Sequence, residues 1–214
     1  KKYNLYKLVY YEICDDIEMV CSSIGKHFIM AYSDNPDGLL HKFGCKSQEA
    51  RDMVIDAEKR IGEMCENLDD TIVIISADHG HKDIGNVYNL LDYTDILDCL
   101  IMPASLESRF VTFWVRDDKK IEFEKLFEQY FGKDFMLLKK QELLEKQLFG
   151  YGEKHIKIDD FIGNYVAISI DNAMIRLQNY LFEGKKVRKS THCGLTKEEM
   201  EVPLIVIERR NRND

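Results

Sequence analysis

The sequence predicts an α/β fold, in which helices cover both faces of a mostly parallel sheet in three layers, α/β/α, with a small α+β subdomain added. Apolar residues recur at three- and four-residue steps from 47 to 68, as in an amphipathic helix. A short apolar stretch at 27–32 precedes this helix, and the β-branched run 71–75 follows it. Strand, helix and strand in this order form a βαβ unit, which implies parallel strands and a right-handed crossover.

The segments around this unit extend the expected fold. Helical spacing from Leu8 to Ile24 ends at Gly25, a residue that suits a helix C-cap. Ser47 has the character of an N-cap for the helix that follows it. The run 71–75 is apolar throughout, which is typical of a strand that helices cover on both faces. After the middle of the chain, apolar stretches return at 165–170, 174–181 and 202–207.

The middle of the chain reads as an inserted α+β subdomain. The segment from Pro103 to Glu107 has the character of a boundary rather than of a helix or strand. Beyond it the pattern predicts a strand at 110–115, a helix at 121–131, a strand at 135–138 and a short helix at 141–147. We therefore predict a subdomain over 104–165, inserted into a main domain formed by 1–103 and 166–214.

Composition and charge restrict the kinds of function. The 214 residues are 45% hydrophobic and 32% charged, as in a globular protein with a substantial core. A net charge of -8 argues against a nucleic-acid groove, which needs a clustered basic surface. The one basic run, Lys185 to Lys189, is interpreted as a solvated loop. No apolar stretch approaches the roughly 20 residues of a membrane span, and we expect no membrane partner.

Six cysteines are scattered without any Cys-x-x-Cys spacing, so neither a zinc ribbon nor a dithiol redox pair is indicated. Their distribution suits free thiols in a reducing compartment, and we expect a cytoplasmic protein. No pattern typical of a leader peptide opens the chain. The first residue is Lys1 rather than Met, so a leader or a longer segment is expected to be missing.

Two short polar motifs carry the chemistry. In IISADHGHKD, Asp78 and His79 follow the strand at 71–75, where ligands bind in open α/β sheets. In NPDGLLHKFG, Asp37 and His41 are four residues apart, and Pro36 suits the start of a helical turn. One turn would place both side chains on one face, and Zn²⁺ accepts carboxylate and imidazole ligands. Taken alone, each motif is also compatible with an ordinary surface loop.

A third motif, KSTHCGLTKEEMEVPLIV, places His192 ahead of Gly194 and of a terminal strand. Together the three motifs resemble the alkaline phosphatase superfamily, and more closely its nucleotide pyrophosphatase/phosphodiesterase-like branch. The resemblance rests on the Pro-Asp-x-x-x-His, Ser-x-Asp-His-Gly and Thr-His-x-Gly patterns and extends from about residue 13 to residue 207. No motif of this kind occurs between 104 and 165.

The resemblance implies a two-metal phosphoryl-transfer hydrolase acting on a small phosphate ester or nucleotide. Asp37, His41 and His192 look like the ligands of one divalent ion, and Asp78 and His79 look like part of the set for the second. Zinc is expected at both sites, with manganese or another divalent ion as an alternative. A sulfatase or a phosphomutase of the same superfamily is the alternative reaction, and a non-catalytic binding module of the same fold is the alternative class.

The nucleophile of the resembled family has no match in this chain. In that family it follows the first strand, ahead of the helix that here begins near Leu8, so we expect it on a missing amino-terminal segment. This chain is then a carboxyl-terminal part that turns nothing over and binds one metal or none. His81 is a weaker candidate for substrate contact, with a solvent-facing loop histidine as the alternative. The oligomeric state is left open.

Overall fold

The computed structural model describes residues 1–6, 10–177 and 188–210. Helices and strands alternate through most of this range. The helices are α1 Tyr10–Cys21, α2 Asp37–Phe43, α3 Gln48–Asn67, α4 Thr94–Asp98, α5 Lys120–Phe131, α6 Lys140–Glu145, α7 Ile158–Phe161 and α8 Lys197–Met200. The strands are β1 Lys2–Tyr6, β2 Phe28–Tyr32, β3 Thr71–Ser76, β4 Lys82–Asp83, β5 Asn86–Asn89, β6 Leu100–Glu107, β7 Phe110–Val115, β8 Phe135–Lys139, β9 Tyr165–Ser169, β10 Ala173–Arg176, β11 Ser190–Thr191 and β12 Leu204–Arg209.

The described residues form two units. Those of the first fall within Lys1–His81, Arg188–Ser190 and Glu201–Asp214, and those of the second within Lys82–Val187 and Thr191–Met200. The predicted domain bounds at 104 and 165 stay a prediction.

The first unit combines two strand pairs with helices α1, α2 and α3. Strands β1 and β2 run parallel, whereas β3 and β12 run antiparallel. Helices α1 and α3 share a small core with one face of β3 and β12. Ser47 caps α3 as predicted, because its hydroxyl accepts a hydrogen bond from the backbone N–H of Ala50 at 3.2 Å. The buried members of this core are Cys14, Met64, Cys65 and Leu68.

Strand β3 differs from its prediction in one respect. Its residues alternate between half-buried and exposed, and the side chains of Ile72 and Ile74 are each 65% exposed. The strand therefore packs on one face only, and the expectation that helices cover both faces is wrong for the structure described. A continuously apolar run indicates a strand, but the number of its buried faces depends on what packs against it.

The second unit is built on a four-stranded antiparallel sheet in the order β6-β7-β9-β8. Helix α5 presents Phe123, Phe127 and Phe131 at four-residue spacing, and all three are fully buried in the main core. Strands β5 and β10 add a parallel pair. Pro103 lies inside β6, so the predicted boundary at 103–107 is instead a strand. Antiparallel pairing is thus more common in the described strands than a mostly parallel sheet would have.

The remaining predicted elements agree closely in position with the structure. The predicted helix over 8–24 corresponds to α1, and residues 7–9 lie outside the described part of the chain. Strands β7, β8 and β9 and helices α5 and α6 coincide with their predictions within a few residues. The stretch predicted over 174–181 begins as β10, while 178–181 lie outside the described residues. None of the described helices is long and apolar enough to cross a membrane.

Candidate metal centre

Helix α2 brings Asp37 and His41 together, as their spacing predicts. Pro36 stands at the N-cap, Asp37 opens the helix, and His41 lies one turn later on the same face. The distance from His41 Nε2 to Asp37 Oδ1 is 3.3 Å. The imidazole is mostly buried, whereas the carboxylate is partly open to solvent. The carboxylate and the imidazole can therefore serve one cation together.

The segment Arg188–Ser190 fixes the orientation of His41. The Nδ1 atom of His41 lies 2.8 Å from the backbone oxygen of Ser190, which can only accept, so Nδ1 carries the hydrogen. A guanidinium N–H of Arg188 donates to Nε2 of His41 at 3.1 Å. Both contacts leave the Nε2 lone pair as the acceptor of the ring. A ring held through Nδ1 by a backbone carbonyl is the usual arrangement of a metal-binding histidine.

His81 joins this pair from the end of the loop that follows β3. Its Nε2 atom lies 2.7 Å from Asp37 Oδ1, and its Nδ1 atom lies 3.1 Å from Ser190 Oγ. The rings of His41 and His81 meet edge to face with centroids 4.8 Å apart. Burial lowers the pKa of His81, and its hydrogen bond to Asp37 opposes this shift only in part.

Asp78 and His79 follow β3 in the same unit, where their motif predicts them. The hydroxyl of Tyr32, the last residue of β2, donates to Asp78 Oδ2 at 3.1 Å. His79 Nδ1 lies 3.0 Å from the backbone oxygen of Gly80, so its Nε2 lone pair is directed elsewhere. That Nε2 atom is 3.7 Å from Asp78 Oδ1, and the ring centroids of His79 and His81 are 5.5 Å apart. Asp78 and His79 thus lie beside His81.

The donor set fits a divalent transition metal. Asp37, His41 and His81 each offer one ligand atom, and these atoms lie within 4.8 Å of one another. Zinc binds imidazole nitrogen and carboxylate oxygen at about 2.0–2.2 Å, which such spacing allows. Backbone and hydroxyl oxygens hold the outer ring nitrogens, as metal-binding histidines require.

His192 lies in the second unit, directly after β11. Its Nδ1 atom is 3.0 Å from the sulfur of Cys193, a residue with a positive φ of 78°. Because His192 belongs to the other unit, its convergence with Asp37 and His41 stays a prediction.

The chain just beyond His192 is anchored by a buried ion pair. The Glu199 carboxylate accepts from Arg109 Nε at 2.6 Å and from the backbone N–H of Gly194 at 2.8 Å. A Cβ atom on Gly194 would lie 2.6 Å from Arg109 Nη2 and from a Glu199 oxygen, so only glycine fits there. Burial by itself raises the pKa of Glu199, but hydrogen bonds from Arg109, Thr196 and Gly194 bring it below the usual value.

Sequence reasoning missed the residues that orient the candidate ligands. Ser190 contacts both His41 and His81, yet nothing in its local sequence marks it. Arg188 belongs to the basic run that was interpreted as a solvated loop, and its guanidinium contacts His41 instead. Residues 185–187 of that run lie outside the described part of the chain. The only sequence signal for His81 was its closeness to the Asp78-His79 motif.

A family model described as type I phosphodiesterase / nucleotide pyrophosphatase matches residues 22–146, more than half of the chain. No match was found among curated proteins.

Solved structures resemble the fold. Human ectonucleotide pyrophosphatase / phosphodiesterase 5 superposes with a TM-score of 0.68 at 16% identity, covering 94% of this chain and 52% of that protein. Its murine counterpart, in an inactive form in complex with AMP, gives 0.66 at the same identity and coverage. Phosphonoacetate hydrolase from Sinorhizobium meliloti 1021, in complex with phosphonoformate, gives 0.59 at 18% identity, covering 88% of this chain and 47% of that protein. The alkaline phosphatase-like α/β fold is therefore confirmed, and the chain spans about half the length of these proteins.

Proposed function

Because the chain belongs to the type I phosphodiesterase / nucleotide pyrophosphatase family, we propose that it carries the metal-binding part of a phosphoryl-transfer hydrolase. The observation that supports this most strongly is the position of His41. Its Nδ1 atom is held by the Ser190 carbonyl, while its Nε2 lone pair lies 3.3 Å from the Asp37 carboxylate. An imidazole and a carboxylate arranged in this way are ready to bind a divalent cation.

Two sets of residues share the work in this proposal. Asp37, His41 and His192 hold one divalent ion, and Asp78 and His79 contribute to the second. Two such ions, when bound, stabilise the attacking and leaving oxygens of an in-line displacement at phosphorus. Tyr32 orients the Asp78 carboxylate through its hydroxyl, and Ser190 holds the His41 ring in the tautomer that a ligand needs.

Zinc is the proposed metal because the ligands are imidazole and carboxylate, with manganese as the alternative. The proposed substrate is a small phosphate ester or nucleotide. The murine neighbour binds AMP and the bacterial neighbour binds phosphonoformate, so this fold accommodates small phosphorus oxyanions in those proteins.

The proposal assigns the nucleophile to a segment outside these 214 residues, and the chain by itself then has no turnover. The proposed location is the cytoplasm, which free thiols at Cys14, Cys21, Cys65 and Cys99 would suit. A sulfatase or phosphomutase, and a non-catalytic binding module of the same fold, are the competing functions.

The test is an assay on the full natural polypeptide that carries this chain. Zinc-loaded protein is offered bis(4-nitrophenyl) phosphate, 4-nitrophenyl phosphate and 4-nitrophenyl sulfate. We expect the phosphodiester to be hydrolysed fastest, and Asp37→Asn to lower kcat/KM at least about 100-fold, the scale of a lost electrostatic catalyst. His155→Ala, which removes an exposed imidazole of the second unit, is the matched control and should leave the rate unchanged. Faster hydrolysis of the sulfate ester would instead support a sulfatase, and zinc binding without any turnover would support a binding module.

A further inference from the structure

His81 lies just beyond the Asp78-His79-Gly80 motif, and the family resemblance gives it no role. Its side chain is nevertheless only 4% exposed, and both ring nitrogens face protein groups of the candidate metal centre. One nitrogen lies beside the Asp37 carboxylate and the other beside the Ser190 hydroxyl. A loop histidine in contact with solvent would have neither contact.

The Ser190 hydroxyl determines which nitrogen of His81 carries hydrogen. Its oxygen donates to the backbone oxygen of Leu40 at 2.7 Å, and a hydroxyl has a single hydrogen to donate. At the 3.1 Å contact with His81 Nδ1, Ser190 Oγ must therefore accept, and Nδ1 must be the donor. In the neutral ring this leaves a lone pair on Nε2.

That lone pair points at another acceptor. Nε2 of His81 and Oδ1 of Asp37 are 2.7 Å apart, and two acceptors at this distance repel unless a cation is shared between them. His41 presents the same situation, since its Nε2 lone pair lies 3.3 Å from the same oxygen. One proton could join only one of the two rings to the carboxylate. A divalent ion can accept lone pairs from both rings and from the oxygen at once.

We propose that His81 is a metal ligand through Nε2, completing with Asp37 and His41 a three-ligand set inside the first unit. The inference rests on the proposed metal centre and adds a ligand to it. Three protein ligands are the usual number for a zinc site that keeps an open position. Binding of the first ion then does not depend on His192.

The test measures the zinc affinity of the chain by competition with a chromogenic chelator. His81→Ala and His81→Gln are compared with His41→Ala, and His27→Ala serves as the matched control from the same unit. Glutamine can still donate to Asp37 but is a poor zinc ligand, so it separates a ligand from a positioning residue. Thermal unfolding without metal checks that each variant folds, and the visible absorption of the cobalt form reports the ligands of the ion.

We expect both His81 variants to lose at least about 100-fold in zinc affinity, at or beyond the limit for outer-shell partners. Their cobalt spectra should change, His41→Ala should behave alike, and His27→Ala should bind as the parent chain does. Retained affinity in His81→Gln would overturn the proposal and make His81 a positioning residue. Retained affinity in both His81 variants, with loss in His41→Ala, would exclude any role for His81. If His41→Ala also kept its affinity, the metal centre itself, and the proposed function with it, would fail.

Discussion

At the residue scale, the candidate site depends on where each ring nitrogen finds its partner. The spacing of Asp37 and His41 predicts that they share a helix face, because this contact is local to one turn of α2. The place of His81 could not be predicted in this way. Its partner Ser190 is 109 positions away, and no periodicity connects them. Short-range geometry was therefore readable from the sequence, whereas the residues that orient the ligands were not.

Arg188 provides a prediction at this scale. Its guanidinium has only donors, so it occupies the His41 lone pair that a metal ion would need, and its charge repels a cation. We expect Arg188→Ala to raise zinc affinity about 3–10-fold, corresponding to about 1 kcal/mol of charge repulsion near a surface. Arg51→Ala, an exposed arginine on α3, controls for the change in net charge. The chelator competition measures both variants, and an unchanged or weaker affinity in Arg188→Ala would show that the guanidinium does not compete.

At the element scale, helices and strands with strong patterns were predicted well. Helix α3 and its cap at Ser47 have the predicted position, because the amphipathic pattern and the capping hydroxyl are local signals. Strand β6 was missed because Pro103 was interpreted as a break, although proline is tolerated on a sheet edge, and β6 is an edge strand. The one-sided packing of β3 depends on α1 and α3 and could not be predicted from its own residues.

The segment from Thr191 to Met200 offers a test of stability. Glu199 is buried with Arg109, so Glu199→Gln leaves a buried guanidinium without its counter-charge. We expect a loss of about 3–5 kcal/mol in the free energy of unfolding, measured by urea denaturation at pH 7. Glu198→Gln is the matched control, since the neighbouring carboxylate is largely exposed and its pairing with Lys82 should contribute little.

The pH dependence should follow the lowered pKa of Glu199. A carboxyl whose pKa is lower in the folded state stabilises the protein fully above the unfolded pKa, about 4.3 for glutamate. This contribution is lost as the pH falls from there through the folded value. Glu199→Gln should therefore flatten the fall in stability below about pH 4.3. A parallel fall in both proteins would show that Glu199 does not contribute it.

At the scale of the whole molecule, family and fold could be predicted, while the division into units could not. Three short motifs led to the family because their residue types and order are specific, and the family model and the solved structures agree with them. The units exchange chain near His81, Ser190 and Met200 rather than near 104 and 165. Pairings between distant segments, such as β5 with β10, decide such limits, and they leave no local pattern.

The central claim is that the first unit holds a divalent metal ion at Asp37 and His41. An anomalous difference map at the zinc edge, from crystals of the chain grown with zinc, tests it most directly. We predict a peak about 2.0–2.2 Å from a carboxylate oxygen of Asp37 and from Nε2 of His41. A map at saturating zinc with no peak there, or with zinc bound only at other residues, would contradict the claim.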